Sequence, residues 1–472
     1  MIITKKMVWM FDEPREGDFE QQRLKFGGKG AGLVHMTQMG LPVPPGFTIP
    51  CEISVQVSKG IWPEGLKDQV IEAIQKLEKV TNKKFGDPES PLLVSVRSGA
   101  PLSMPGMMDT VLNLGLTKTI AEKMAELNPR FAWDSWRRFI MSYSDIVKGT
   151  GREPFDEIME KYKSNKGVKS DIDLNADDMK EISELFLKEY KEINGEEFPN
   201  DPYEQLFNAI NAVFKSWDSP RAKTYRKINK VPEYGTAVNV QMMVFGNLNN
   251  NSGTGVLFTR SPMTGEKKVV GEFLFNAQGE DVVAGVRTPI NIEELEKIKP
   301  DIYKQILDLA NQLEKTYKDM QDCEITIQDG KLYFLQTRSG KRTARAAIKI
   351  AMDHLKEGLI DEETAILRVE PSRINELLHK SIDPTETKAP IAKGYNASPG
   401  VATGKAVFSI EKAIEKRHSN EQVILVRKDT KPEDFPGMVA SVGILTSRGG
   451  KTCHAAVVAR GIGLPAVVGA GE

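Results

Sequence analysis

Cysteine is scarce. Three residues, Cys51, Cys323 and Cys453, are scattered over 472 positions, odd in number and with no C-x-x-C pair. That excludes a disulfide scaffold and a zinc ribbon and points to a reducing, cytoplasmic setting. Net charge is almost absent: 64 Lys plus Arg stand against 65 Asp plus Glu, for a formal charge of -1. A nucleic-acid binder driven by bulk charge is therefore excluded, though local basic clusters are not. No apolar run approaches the roughly 20 residues of a membrane helix. Residues 1–11 lack the apolar core and small-residue cleavage site of a signal peptide. Neither nucleic acid nor membrane is thus expected as a partner. There is no fixed-period repeat.

What is present is ordinary in bulk: 40% apolar and 27% charged residues, enough chain at about 150 residues per domain for about three domains with cores that need no staple. The 39 glycines and 26 prolines are near average in number but cluster. The clusters carry the information. Four glycines fall within 27–32 in FGGKGAG, followed by an apolar helical stretch, a Pro-rich turn and a short strand near Phe47–Ile49. Residues 61–80 have helical amphipathicity, and Leu92–Val96 reads as a buried strand running into Arg97-Ser98-Gly99 and a Gly/Pro/Met loop, 104–110. From about 117 to 230 the pattern is helical and charged, with Trp133, Trp136, Phe139 and Ile140 on one face and a polar loop at 163–178. Strand-like segments fill 234–340. Residues 341–380 read as helical, 384–390 as a boundary, and the chain beyond 391 as Gly-rich α/β.

Four constellations could carry chemistry. FGGKGAG is neither a G-x-x-x-x-G-K-[ST] loop nor G-x-G-x-x-G. It reads either as a tight turn before a helix or as an anion cradle, with Lys29 adding a point charge. Arg97, at the end of its strand, is either a surface ion-pair partner or a contact for a charged ligand beneath a lid. In the hairpin 323–338, Asp329-Gly330 is a turn signal. A three-residue turn, Gln328 to Gly330, would set Asp322 opposite Gln336 with Glu324 beside them, and would face Tyr333 and Leu335 to the core with Cys323, Ile325 and Ile327. Two carboxylates, an amide and Arg338 would then share one face, either merely solvated or a magnesium–nucleotide site of hard oxygen ligands and positive charge. Finally, a strand at 442–446 enters a Gly449-Gly450 loop, and His454 opens the helix that follows. A helix N-terminus favours an attached phosphoryl group, and neutral imidazole is a competent nucleophile near pH 7. His35, His354, His379 and His418 lack this setting.

Eight stretches, taken in order, closely resemble the pyruvate, phosphate dikinase family: GGKGAGL at 27–33, LPVPPGFTI at 41–49, VSVRSGAPLSMPGMMDTVLNLGL at 94–116, GTGVLFTRSPMTGE at 253–266, NAQGEDVVAGVRTP at 276–289, LYFLQTRSGKRTA at 332–344, SPGVATGKAVF at 398–408 and GILTSRGGKTCHAAVVARGIGLPAVVG at 443–469. The resemblance implies a multidomain α/β and α+β protein. An ATP-grasp-like nucleotide-binding region would span 1–340 with a helical insertion about 117–200, a helical linker 341–389, and a partial swivelling phosphohistidine domain 390–472. It implies that Lys29, Arg97 and Arg338 neutralise a triphosphate, that Asp322 and Glu324 hold Mg2+ with Gln336 supporting their geometry, and that Thr254, Gly255 and Glu280 line the cleft. His454 would be the phosphorylated histidine.

The implied activity is phosphotransfer with paired acceptors: ATP, phosphate and pyruvate become AMP, pyrophosphate and phosphoenolpyruvate through the histidine. Lys451 and Cys453 depart from the usual Gly-Gly-Met-Thr-Ser-His motif toward phosphoenolpyruvate synthase, which uses water in place of phosphate. A non-catalytic ATP-binding partner is a third reading. Thr452 occupies a position that is a regulatory phosphorylation site in some relatives, where added negative charge would sit beside an anionic site. Family members continue past a strand like Ala466–Val468 into the rest of the histidine domain and a (β/α)8 barrel for pyruvate. The expectation is therefore a truncated or split protein or a fragment, carrying the ATP/phosphate half and forming a homo-oligomer when full length.

Overall fold

The computed structural model describes residues 5–57, 59–102, 104, 108–168, 170–279, 281, 289–371, 374, 382–383, 388–449 and 453–471. The chain divides into two compact units, one of residues 1–262 with 267–341 and the other of residues 263–266 with 342–472. Among the described residues no helix is long and apolar enough to cross a membrane. The strands are β1 (Trp9–Met10), β2 (Gly46–Ile49), β3 (Lys84–Phe85), β4 (Pro91–Leu92), β5 (Val94–Gly99), β6 (Thr110–Leu114), β7 (Ala237–Met242), β8 (Gly253–Phe258), β9 (Val270–Phe275), β10 (Ile290–Asn291), β11 (Gln321–Gln328) and β12 (Lys331–Ser339) in the first unit. The second holds β13 (Tyr395–Ser398), β14 (Lys405–Val407), β15 (Val423–Arg427), β16 (Gly443–Thr446) and β17 (Ala466–Val468).

The first unit holds two five-stranded antiparallel sheets, ordered β1-β2-β7-β5-β6 and β10-β9-β8-β11-β12. The first packs against the helices of 118–216, whose starts are set by local chemistry. Thr117, Asn128, Asn175 and Asp201 cap four helices with their side chains, and Pro129 and Pro202 sit at first helical positions. Trp133, Trp136, Phe139 and Ile140 are all buried in this core, as their spacing predicts. The polar loop is shorter than expected. A helix continues to Lys166 and the next begins at Ala176, because Gly167 closes the first and Asn175 opens the second. The second sheet packs on the helix Pro300–Tyr317 through Ile325, Ile327, Phe334, Ile306 and Leu313.

One helix, Phe19–Gln38, serves both sheets. Its carboxyl-terminal half puts Leu33, Val34 and Met36 into the second core, while its glycine-rich half lies on the first sheet, where Gly30 faces Thr48 and Asn239. The second unit is a parallel sheet, β14-β15-β16-β17, with β13 antiparallel at one edge. Its core joins Val423, Leu425 and Ile444 to Ala455, Ala456 and Ala459 of the helix His454–Ile462.

Candidate functional site

The glycine motif is a kinked part of the helix rather than a loop before it. Gly27 breaks the helix at φ +70°, a left-handed conformation suited to glycine. A Cβ there would overlap the Gly99 carbonyl oxygen, so strand β5 presses directly on the kink. The Gly28 N–H donates to the Ala100 carbonyl at 2.9 Å and is thereby spent within the protein. The motif therefore works chiefly as a close-packing device that seats Lys29 over the sheet. Burial, helped by the nearby Arg97 and Arg338 cations and opposed by Glu324, pushes the Lys29 ammonium down to a pKa of about 8.

Arg97 lies inside β5, not at its end, because the strand runs on through Ser98 and Gly99. Its guanidinium crosses from the first sheet to the second. Nη2 donates to Glu324 Oε2 at 2.9 Å and Nη1 to the Leu335 carbonyl at 3.3 Å. Burial raises the Glu324 carboxyl, but Arg97, Lys29 and Arg338 outweigh it and hold the group below its ordinary range.

The hairpin corrects the expected register. Its turn has two residues, with Gln328 opposite Lys331 and both Asp329 and Gly330 at positive φ, so the three-residue turn does not form. The extra residue falls in mid-strand instead. The register shifts beyond Ile325, paired with Phe334, so that Glu324 pairs with Gln336, Asp322 pairs with Arg338, and Leu335 is the bulged residue. Asp322 is thus opposite Arg338 rather than Gln336, and Arg338 Nε donates to its Oδ2 at 2.7 Å. On the turn side of the bulge Leu332 and Phe334 are buried, and Tyr333 and Leu335 are not. The four polar residues still share one face, as expected. The two carboxylates, with Gln336 Oε1 buried and lacking a hydrogen-bond partner among the described residues, form a set of hard oxygen donors that fits a magnesium ion. No cluster of three or more His, Cys, Asp or Glu exists among the described residues, so such an ion would take its other ligands from water and substrate.

A cavity of about 360 Å³ opens between the sheets, with Arg97 and Glu324 in one wall and Thr254 and Gly255 in another. Thr254 Oγ1 donates to the Ile325 carbonyl at 3.0 Å, and Gly255 lies opposite Ile325 in the ladder. Met141, Met242, Met243 and Val256 supply much of its apolar lining, and Asp145 and Arg152 add charge besides Arg97 and Glu324. Arg138 also lines it and clamps Asp281 at 3.1 Å through both Nη atoms. Behind it Asp134 is buried and paired with Arg137 and Arg138 at 2.6 and 3.2 Å. Those cations and Arg130 overcome burial and hold its carboxyl well below the usual range.

In the second unit His454 is the first residue of its helix, beyond the carboxyl end of β16. Its Nδ1 lies 3.0 Å from Thr430 Oγ1, which follows the neighbouring parallel strand β15. Loops at the carboxyl ends of adjacent parallel strands are where open α/β sheets hold ligands. Cys453 caps this helix without a side-chain hydrogen bond. Glu280, Lys451, Thr452 and part of the 104–110 loop lie outside the described residues.

The structure therefore brings Lys29, Arg97, Asp322, Glu324, Gln336 and Arg338 together in the first unit, and of these Arg97 and Glu324 line the cavity with Thr254 and Gly255. His454 belongs to the second unit. Sequence reasoning missed Thr430, Asn239 and the Asp134–Arg138–Asp281 chain. Only Asn239 left a local signal: with Gln241 it is one of two polar residues in AVNVQM.

Comparison with known proteins gives two family matches. "Pyruvate phosphate dikinase, AMP/ATP-binding domain" matches residues 51–294 and 291–359, and "PEP-utilising enzyme, mobile domain" matches 419–472. Among curated relatives, the pyruvate, phosphate dikinase of Clostridium symbiosum is 54% identical over 99% of this chain and 54% of its own length. That of Rhizobium meliloti is 50% identical over 99% and 54%. A chloroplastic form from Arabidopsis thaliana is 49% identical over 100% and 49%. The chain spans about half the length of the curated relatives it matches.

Proposed function

The chain belongs to the pyruvate, phosphate dikinase family, and on that premise we propose that it carries the ATP- and phosphate-handling half of this reaction. The observation that carries the reading is the Arg97–Glu324 pair, which ties the two sheets together in the lining of a largely apolar cavity. An apolar chamber suits a purine, and a cluster of three cations suits a polyphosphate. We read this unit as ATP-grasp-like. Lys29, Arg97 and Arg338 neutralise the phosphates, Thr254, Gly255 and Glu280 line the cleft, and Asp322 and Glu324 hold Mg2+ with Gln336 supporting their geometry. When bound, the ion would supply charge neutralisation at the phosphates.

His454 is the acceptor. In the tautomer that donates Nδ1–H to Thr430 Oγ1, the Nε2 lone pair is free to attack. Attack on the β-phosphorus of ATP forms the N–P bond, breaks the bond to the α-phosphate oxygen, and releases AMP. Phosphate then takes the terminal phosphoryl group as pyrophosphate, and the remaining phosphohistidine donates to pyruvate to give phosphoenolpyruvate. The domain bearing His454 would swivel between the two partial reactions. Its pyruvate partner site, a homo-oligomeric assembly, cytoplasmic location and regulation at Thr452 belong to the same proposal.

Calorimetric titration with ATP tests the first step. Binding should require Mg2+ and weaken about tenfold or more in Glu324→Gln, which loses a charge-assisted contact. Equal affinity with and without Mg2+, unchanged in the variant, would overturn it. Lys451 and Cys453 favour a second reading, with water in place of phosphate as acceptor. Pyrophosphate that appears only when phosphate is added supports the dikinase. Orthophosphate released without added phosphate supports the alternative.

A further inference from the structure

One transverse row crosses all five strands of the first sheet: Trp9, Thr48, Asn239, Arg97 and Thr110 stand directly opposite one another in register. Paired residues project to the same face, and this is the face on which the glycine-rich half of the Phe19–Gln38 helix lies. Asn239, at the centre, is completely buried. A buried carboxamide in the middle of a sheet is costly unless its contacts are specific. Its Oδ1 accepts a hydrogen bond from Thr48 Oγ1 at 2.9 Å.

Two glycines leave room for this one side chain. A Cβ at Gly30 would stand 2.9 Å from Asn239 Oδ1, and a Cβ at Gly99 would stand 2.7 Å from Asn239 Nδ2. Both approaches are closer than packed carbon tolerates. Gly30 adjoins Lys29 on the helix, and Gly99 is two residues beyond Arg97 on β5. The row is also anchored at its far end. Arg15, nine-tenths buried, lies 3.9 Å over the Phe26 ring and 3.5 Å from Thr48 Oγ1.

We propose that Asn239 is a positioning residue for the phosphate-binding cations, a wedge whose carboxamide sets the distance between the Lys29 turn and the Arg97 strand. It acts through backbone spacing and touches no substrate. The two glycine motifs, GGKGAG and RSG, are on this account the two halves of its socket. The inference rests on the nucleotide reading of the cleft. A cation displaced by about an ångström loses ten- to a hundredfold in effect, so Asn239→Ala should bind Mg-ATP more weakly by that order.

The test is a mutant cycle. Gly99→Ala adds one methyl whose only close obstacle among the described residues is Asn239 Nδ2, the next atom being Lys29 Cβ at 3.5 Å. Gly99→Ala alone should weaken Mg-ATP binding. In the Asn239→Ala background it should cost nothing further, because the obstacle is gone. The pH at which ATP affinity falls should also move downward in Asn239→Ala, because without the wedge Lys29 closes on Arg97, whose charge already lowers its pKa. A purely structural residue would lower the melting temperature without moving that midpoint. Additive losses, or an unchanged midpoint and affinity in Asn239→Ala, would overturn the proposal. If Asn239→Ala does not fold, Asn239→Ser, which shortens the side chain and keeps a polar atom, takes its place in the cycle with the same two readouts. Absence of ATP binding by the wild type would instead sink the nucleotide reading, while melting temperatures across the cycle would still test the wedge.

Discussion

Lys29 is the residue whose behaviour is easiest to separate from the rest. Its ammonium has a depressed pKa of about 8, so the charge is present below that pH and lost above it. Mg-ATP affinity should therefore fall as pH rises from 7 to 9, and Lys29→Arg, whose guanidinium does not titrate in this range, should flatten the profile. Calorimetry at three pH values suffices, and a flat wild-type profile would contradict the placement of Lys29 against the phosphates. At this scale much was legible in the sequence. Lys29, Arg97, Asp322, Glu324, Gln336 and Arg338 declare themselves by motif and by strand parity, and the structure brings them together. Thr430 and Asn239 do not, because what gives each a role is a contact with a segment distant in sequence: His454 is 24 residues from Thr430 and Thr48 is 191 from Asn239.

Among the elements, the hairpin shows what parity can and cannot tell. For Asp322, Glu324, Gln336 and Arg338 to share a face, one of the two strands must hold one extra residue. The sequence implies its existence but not its place. Asp329-Gly330 accepts either turn length, and the structure puts the extra residue at Leu335, where the backbone carbonyl meets Arg97. The glycine helix is the second case. A run of glycines reads locally as a loop, yet tertiary packing keeps it helical except at Gly27. The contrast between neighbours tests this. Gly27→Ala must adopt φ +70° with ψ 161°, a backbone region essentially reserved for glycine and costing about 1–3 kcal/mol, and also overlap Gly99. Gly28→Ala meets nothing among the described residues closer than 3.6 Å and should stay within about 0.5 kcal/mol of wild type. Urea unfolding that ranks the two equally would contradict the kink.

On the scale of the whole molecule, the cations proposed to bind phosphate and the proposed nucleophile, His454, belong to different compact units. The account's central claim is that these two units share one reaction. The most direct measurement is incubation of the chain with Mg2+ and ATP labelled at either the β- or the γ-phosphorus. Both labels should enter an acid-labile, base-stable linkage at His454. Added phosphate should then release the γ-label as pyrophosphate and leave the β-label on the protein. Neither label should appear in His454→Ala. Failure of both labels to reach the wild-type chain, or labelling that survives in His454→Ala, would contradict the account.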